Sequence, residues 1–335
     1  MELLFGKISI DILREVVFKN LGVKRKEVVL GPSVGIDGAV IDAGDKSLIV
    51  SMDPITGALE RIGWLAVNIN ANDISTFGVE PAFFFSCILL SEKADKKTIE
   101  TICVQMDKAA KQLGMTIAGG HCEVTPGLSY PIVVGCAMGV TEKGKYVTAG
   151  GAKPRDKLIM TKTAGIEGTA ILASDKEQQL KKAVNASLLK KAKQFFYQIS
   201  VVKEAITAYK TGGVNAMHDP TEGGIAGGIH EIADASNLGF KIFEEKIPVS
   251  KETLEICRFF KIDPFQLISS GALLISAKPE FATKITKRLE EQQIRASIIG
   301  EFSKNSQKRI IIRKDSKISA LPRPLSDHLW AAIQR

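Results

Sequence analysis

Carboxylate and amide side chains recur in the first half of the chain at positions that suit cation binding. Asp37 lies in a glycine-rich loop, Asp53 follows an apolar run, and Asp73 ends the run NINAND at residues 68–73. Hard cations such as Mg²⁺ take carboxylate oxygens and bridge to the phosphates of a substrate. The alternative is turn formation and helix capping, because Asp and Asn commonly bond to nearby backbone.

Two short apolar runs predict the strands that would position the first two aspartates. The runs AVI (39–41) and SLIVSM (47–52) are separated by a turn-like Ala-Gly-Asp, and Pro54 predicts that the second strand ends at Asp53. In an antiparallel pair, the start of one strand faces the end of the other. We therefore expect Asp37, which lies between Gly35 and Gly38, to be near Asp53.

The run that contains Asp73 is predicted to be a helix that ends near Gly78. Asn68 and Asn72 are four residues apart and share one helical face, and Asp73 lies about 100° further around the axis. A helix this apolar that also carries Asn and Asp either caps neighbouring backbone or holds a cation.

Two glycine pairs follow later strands. The strand MTIAGG (115–120) is predicted to end at Gly119 and Gly120, which places His121 and Glu123 at a strand end, where α/β proteins tend to carry out chemistry. His121 would then be an acid, a base or a phosphate contact, or else a surface loop histidine.

The second glycine pair opens a helix. In the run HDPTEGG (218–224), Asp219 or Thr221 is placed to cap that helix, and Gly223 and Gly224 would leave its first amides accessible to an anion. A plain N-cap with small-residue packing is the alternative.

The composition bounds the class of protein. A chain of 335 residues predicts two domains, placed here at 1–152 and 153–335, and alternating strands and helices predict an α/β (α+β) fold with mixed sheets. Five cysteines without a CxxC pair predict no disulfide framework and a cytoplasmic location, and no apolar run is long enough for a membrane span. The net charge is +8, but no aromatic-plus-basic motif predicts nucleic-acid binding, and the GxxxxGK[ST] phosphate loop is absent.

Six motifs in order resemble one family. These are GIDGAV (35–40), SMDP (51–54), NINANDI (68–74), AGGHCEVTPG (118–127), KPRDKLIMTKTAGIEGTAIL (153–172) and HDPTEGGIAGGIHEIA (218–233). Together they are similar to the family of aminoimidazole ribonucleotide (AIR) synthetase, which includes the hydrogenase-maturation protein HypE, selenophosphate synthetase and thiamine-monophosphate kinase. The DPTEGG run is most similar to HypE.

The resemblance implies two α/β domains, a homodimer formed through the first domain, and ATP bound with Mg²⁺. It implies transfer of the ATP γ-phosphate to a carbonyl-type oxygen of a small-molecule substrate, as in dehydratase or cyclo-ligase chemistry. Asp73, His121 and Asp219 are the implied catalytic residues. The implied metal ligands are Asp37, Asp53, Asp73, Glu123 and Asp219. The implied nucleotide contacts are Gly35, Asp37, Gly38, Asp53, Asn70, Asn72, Asp73, Gly119, Gly120, His121, Gly223 and Gly224.

The chain departs from the family at its C-terminus. HypE ends in a cysteine that carries the carbamoyl group, whereas the last cysteine here is Cys257. We therefore expect a HypE-like enzyme with a separate substrate, and a protein partner only if it acts in maturation. The alternatives are AIR synthetase itself and a non-catalytic ATP-binding accessory protein.

Overall fold

The chain forms two β-sheets, each built from its own part of the sequence. A computed structural model describes residues 6–56 and 59–334. The first sheet contains β1 (Val28–Leu30), β2 (Ala39–Ala43), β3 (Lys46–Ile55), β4 (Pro81–Leu90), β5 (Thr116–Val124) and β6 (Ile132–Glu142). The second contains β7 (Lys157–Thr161), β8 (Val214–His218), β9 (Gly239–Phe243), β10 (Leu274–Ala277), β11 (Ala296–Ser303), β12 (Arg309–Ile312) and β13 (Ile318–Ala320).

The helices are α1 (Ile10–Glu15), α2 (Ile62–Thr76), α3 (Lys96–Leu113), α4 (Ile166–Asp175), α5 (Glu177–Leu180), α6 (Ala186–Lys193), α7 (Val202–Thr211), α8 (Gly224–Ala235), α9 (Lys251–Phe260), α10 (Pro279–Glu291) and α11 (His328–Ile333). None of the helices within the described ranges is both long and apolar enough to cross a membrane. All five cysteines are free in the structure.

Both sheets are mixed, which confirms the predicted fold class. The first has the order β1-β2-β3-β6-β4-β5, and its only parallel pair, β4 and β5, is joined by α3. The second has the order β13-β12-β9-β11-β7-β10-β8, with one parallel pair between β9 and β12. Helix α8 packs on one face of the second sheet, and α7 and α10 pack on the other.

Helix α2 is buried along its whole length of fifteen residues. It packs on β3 and β6 of the first sheet, on α3, and on α7 and β8 of the second part of the chain. A helix covered on every side does not need a polar face, which explains why its sequence is apolar nearly all round. Its polar side chains must instead find partners inside the protein.

Two predicted strand ends are wrong. Strand β3 runs through Pro54 to Ile55. Ala39, the first residue of β2, lies opposite Val50, so the later residues of β3 have no β2 partner, and that open side tolerates a missing N–H. Strand β5 runs through Gly120 to Val124. A Cβ on Gly120 would lie 2.2 Å from the Ser86 carbonyl oxygen, so this glycine permits close strand packing within the sheet and does not end the strand.

Candidate active site

A cavity of about 1540 Å³ lies where the two sheets meet. Its walls include the loop 32–38, the β3 segment 50–54, Asp73 of α2, and the turn between β8 and α8. The predicted convergence of Asp37 and Asp53 is therefore present, since both line this cavity together with Asp73.

Asp73 is buried beside the hydroxyl of Ser51. Ser51 Oγ lies 2.6 Å from Asp73 Oδ2 and 2.7 Å from the Asp37 carbonyl oxygen. A hydroxyl has a single hydrogen, so if it donates to the carbonyl, a protonated Asp73 can donate to the hydroxyl. Burial, followed by the charges of Asp53, Asp219 and Asp37, raises the pKa of Asp73 well above its usual range, which agrees with this arrangement.

Asp53 is positioned through its backbone by Asn70. The Asp53 N–H donates to Asn70 Oδ1 at 2.9 Å, and Asn70 Nδ2 donates to the Asp53 carbonyl at 3.3 Å and to Ala66 O at 2.8 Å. Burial raises the pKa of Asp53 to about 6; Lys7 opposes this rise, and Asp37 adds to it. Asn70 thus supports the expected site by holding β3 against α2.

The second part of the chain adds a fourth carboxylate, Asp219, to Asp37, Asp53 and Asp73. Asp219 follows β8, it is only 1% exposed, and neither carboxylate oxygen has a hydrogen-bond partner among the described residues. Burial, together with Asp37, raises its pKa to about 7 although His218 lowers it. A buried carboxylate without donors is costly unless a cation is present.

His218 joins the two parts of the chain. Its Nδ1 lies 2.7 Å from Asp37 Oδ2, and its Nε2 lies 2.7 Å from Glu231 Oε2 on α8. Burial lowers the pKa of His218, but the two carboxylates raise it more, so that it is well above the usual range. In the charged form both ring nitrogens donate, one to each carboxylate.

The carboxylates fit a hard divalent cation. Ligand atoms of Asp37, His218 and Asp219 lie within 4.8 Å of one another. Both nitrogens of His218 are already engaged, and Mg²⁺ prefers oxygen, so the fitting donors are the carboxylates of Asp37 and Asp219, with Asp53 and Asp73 nearby. When bound, such a cation would neutralise these carboxylates and the phosphates of a nucleotide.

Asn72 does not reach the cavity, contrary to expectation. Its Nδ2 donates to Ile199 O at 2.9 Å, and its Oδ1 accepts from Val201 N at 2.8 Å. Asn68 likewise donates to Trp64 O of its own helix. Both amides are fully buried and already have backbone partners, so they serve structure and not the nucleotide.

Asn72→Ala is therefore expected to act on stability. It leaves one buried donor and one buried acceptor without a partner, at a cost of about 2–4 kcal/mol. Urea denaturation should show this loss, and Asn68→Ala, which removes one bond within the helix, should cost about half as much. Lost nucleotide binding by a folded Asn72→Ala protein would contradict the structural role.

The helix start at Gly223 and Gly224 is less open than predicted. Gly223 N donates to Asp327 Oδ2 at 2.7 Å, and Ala226 N donates to Phe265 O at 2.9 Å. Gly223 still lines the cavity, while Gly224 packs so tightly that a Cβ would lie 2.5 Å from Leu267 O. Asp327, near the C-terminus, thus supplies the cap that the sequence assigned to Asp219 or Thr221.

The Gly119–Glu123 segment does not line the cavity of its own chain. Gly119, Gly120, His121 and Glu123 lie on β5, three strands from β3, which is about 14 Å at ~4.8 Å per strand. His121 Nε2 lies 3.1 Å from Glu123 Oε2, and both side chains are exposed. Within one chain, the expectation that they contact phosphate or metal is wrong, because the strand continues where a turn was predicted.

Gly35 and Gly38 line the cavity and hold its loop close to neighbouring backbone. A Cβ on Gly35 would lie 2.8 Å from Glu231 O, and a Cβ on Gly38 would lie 2.8 Å from Val50 O. Gly35 also has a φ of +73°, which glycine adopts without strain. Gly35 and Gly38 therefore allow the loop that carries Asp37 to pack closely on α8 and on β3.

The sequence did not point to Ser51, His218 or Glu231 as site residues, nor to Lys7, whose Nζ donates to Thr221 Oγ1 at 2.9 Å. The available signal was that His218 directly precedes Asp219, at the end of β8. The other partner of each, Asp37 for His218 and Lys7 for Glu231, lies far away along the chain.

The chain matches known proteins over most of its length. Residues 35–141 match the AIR synthase related protein, N-terminal domain, and residues 153–313 match the corresponding C-terminal domain. A Methanocaldococcus jannaschii protein with a provisional name, hydrogenase expression/formation protein, is 29% identical over 92% of this chain and 91% of its own length. Carbamoyl dehydratase HypE of Rhizobium leguminosarum is 27% identical over 72% of this chain and 67% of its own.

Solved structures have the same fold. HypE in complex with ATP superposes with a TM-score of 0.73 at 21% identity, over 98% of each chain. A chain from the crystal structure of a HypE–HypF complex superposes with a TM-score of 0.77 at 23% identity, over 93% of this chain and 99% of that one. With both domains matched in order over residues 35–313, the chain belongs to the AIR synthase related family.

Proposed function

We propose that this chain is a HypE-like, ATP-dependent enzyme that holds Mg-ATP in the cavity between its two sheets. The observation that carries the proposal is that Asp37, Asp53 and Asp73 line the cavity, while Asp219, buried without a donor, lies next to Asp37 from the other part of the chain. Carboxylates that share a site so closely are best balanced by divalent cations, and a nucleotide triphosphate brings such cations with it.

The chemistry we propose is phosphorylation of a carbonyl-type oxygen. The carbonyl oxygen of an amide or carbamoyl group attacks the γ-phosphorus, an O–P bond forms, and the bond to the β-phosphate oxygen breaks to release ADP. Loss of both N–H protons of the amide, with cleavage of the C–O bond, then releases phosphate and leaves the dehydrated product. Catalysis of this kind depends mostly on positioning and on neutralisation of charge.

In this proposal, some residues bind the metal and others position them. Asp37, Asp53, Asp73 and Asp219 would hold Mg²⁺, which supplies charge neutralisation when it is bound. Asn70 holds Asp53 in place through the β3 backbone, and Ser51 orients Asp73. The relatives named carbamoyl dehydratase and the HypE structure solved with ATP support the reaction class.

The direct test is calorimetric titration with Mg-ATP, followed by measurement of ADP release with carbamoyl and amide acceptors. We expect saturable binding that EDTA abolishes and ADP release that depends on an acceptor. Binding without turnover across all acceptors would favour an accessory role. Absence of Mg-ATP binding would refute the proposal.

We further propose a homodimer formed through the first sheet. The face of this sheet opposite α2 exposes apolar side chains, including Met52 at 64% and Phe83 at 42%, and the edge strand β5 is exposed along all nine residues. An open edge beside an apolar face is a site for pairing with another chain. A second copy there would cover His121 and Glu123, which otherwise have no role in the site.

Phe83→Lys is expected to convert this dimer to a monomer, because a buried lysine would be desolvated without a partner. Light scattering after size exclusion should change from twice 36.3 kDa to a single copy. Val104→Lys is the matched control, since Val104 is exposed on α3, on the other side of the first sheet. A wild-type monomer would contradict the proposal.

A further inference from the structure

Lys7 is bound to the turn that follows Asp219. Its backbone N–H donates to Glu222 Oε2 at 2.7 Å, and its ammonium donates to Thr221 Oγ1 at 2.9 Å. These two partners are 215 and 214 residues further along the chain, in the turn between β8 and α8. Lys7, Thr221 and Glu222 all line the cavity, so the N-terminal segment meets the second part of the chain at the site itself.

A row of side chains in contact joins Lys7 to a proposed metal ligand. Lys7 Nζ lies 3.9 Å from Glu231 Oε1. Glu231 Oε2 lies 2.7 Å from His218 Nε2, and His218 Nδ1 lies 2.7 Å from Asp37 Oδ2. The ammonium is therefore only two side chains away from Asp37.

The ammonium of Lys7 is not saturated with hydrogen bonds. It carries three N–H groups, and Thr221 accepts from one of them. The separation of 3.9 Å from Glu231 is that of an ion pair and is too long for a hydrogen bond. The described residues provide no further acceptor, and the side chain is 56% exposed. Two N–H groups are thus available to an anion in the cavity.

The segment that begins at Lys7 runs along the cavity without packing into the core. Residues 8–11, 13 and 14 line the cavity, and helix α1 buries none of its side chains. Burial of apolar side chains is the main favourable term in packing, and this segment gains little of it. Within its described part, the hydrogen bonds of Lys7 therefore fix where the segment meets the cavity.

The carboxylates of the cavity leave a requirement that a lysine meets. Ionised carboxylates accept hydrogen bonds and hold cations, but they cannot donate to the oxygens of a phosphate. A lysine ammonium binds phosphate as a point charge, and loops of the GxxxxGK[ST] type place a lysine on the phosphates of a nucleotide. This chain lacks such a loop, so a phosphate donor must come from elsewhere in the cavity.

We propose that Lys7 is a nucleotide-binding residue whose ammonium contacts a phosphate oxygen of the Mg²⁺-bound nucleotide. This rests on the proposed function, because it adds a donor from the N-terminal segment to a nucleotide held at the carboxylates. The backbone N–H of Lys7 keeps its bond to Glu222 and holds the residue in place, while the ammonium uses its two available N–H groups for the phosphate.

The test is calorimetric titration of the full chain and of Lys7→Met with a non-hydrolysable ATP analogue and, separately, with ADP, each with saturating Mg²⁺. Methionine has a similar length but neither charge nor donor, and the backbone bond to Glu222 does not depend on the side chain, so the fold is expected to remain. A hydrogen bond to a charged group is worth enough that Lys7→Met should weaken binding by about tenfold or more.

Lys19→Met is the matched control. It makes the same change of charge on the same segment, but Lys19 is exposed and does not line the cavity. Its affinities should stay within about threefold of wild type, because an exposed charge outside the cavity is largely screened by solvent and salt.

The two nucleotides show which phosphate Lys7 contacts. Weaker binding of the ATP analogue alone identifies the γ-phosphate, and weaker binding of both nucleotides identifies the α- or β-phosphate. Three results would overturn the proposal: unchanged affinities in Lys7→Met, an equal loss in Lys19→Met, or tighter binding by Lys7→Met, which would make Lys7 a counter-ion that competes with Mg²⁺. Failure of the wild-type protein to bind the analogue would instead count against the proposed function.

Discussion

Asp219→Asn is expected to weaken Mg-ATP binding strongly without loss of the fold. The carboxylate is buried, has no donor among the described residues, and has a pKa raised to about 7 by burial and by Asp37. An acid with a raised pKa in the folded state destabilises the protein as pH rises above its unfolded value, so a neutral amide should leave the metal-free protein at least as stable at pH 8. Affinity for Mg-ATP should fall by about 100-fold, which is roughly 2.7 kcal/mol.

The control is Asp156, a buried aspartate whose carboxylate accepts hydrogen bonds from neighbouring residues. Asp156 Oδ2 accepts from Lys153 N, Asn215 and Ser276, at 2.9, 2.9 and 2.8 Å. Asp156→Asn should lose about 1–3 kcal/mol of stability and keep its affinity for Mg-ATP. Calorimetry and urea denaturation of both variants would separate the two roles, and wild-type nucleotide affinity in Asp219→Asn would remove that residue from the site.

The first half of the site could be predicted because the contacts that form it are local. The hairpin β2–β3 is a short-range antiparallel pair, so the positions of Asp37 and Asp53 followed from strand signals and one turn. Asp73, on the helix α2 that follows, was assigned to the same site by the family resemblance and not by a local pattern. The alternation of apolar residues in a strand and the residue types in a turn are enough to predict a hairpin of this kind.

The second half depends on contacts between distant parts of the chain. His218 and Asp37 are 181 residues apart, and no periodic pattern in the sequence indicates that their side chains come into contact. The amides of α2 were ambiguous for a related reason, because Asn72 bonds to backbone 127 and 129 residues away. The error at Gly120 came from a glycine that permits close packing within a strand and was interpreted as the end of that strand.

His218→Leu is expected to cost about 3–5 kcal/mol of stability. The imidazole is the shared donor of two carboxylates, Asp37 and Glu231, at 2.7 Å each, and its removal leaves both without that donor in a buried setting. Guanidinium denaturation of the metal-free protein should measure the loss. The double variant His218→Leu with Glu231→Leu should recover part of the lost stability, because one of the two carboxylates left without the His218 donor is then removed.

The coupling between His218 and Glu231 should also depend on pH in a defined direction. The raised pKa of His218 contributes stability that is fully present below about 6.5 and is lost as pH rises through the folded value. Burial raises the pKa of Glu231, but Lys7 and His218 lower it to about 2, so its contribution is present above 4.5 and is lost as pH falls towards 2. The coupling energy measured in EDTA should therefore be largest between about pH 4.5 and 6.5, and a coupling that stays flat from pH 3 to 9 would show that His218 is not charged between these carboxylates.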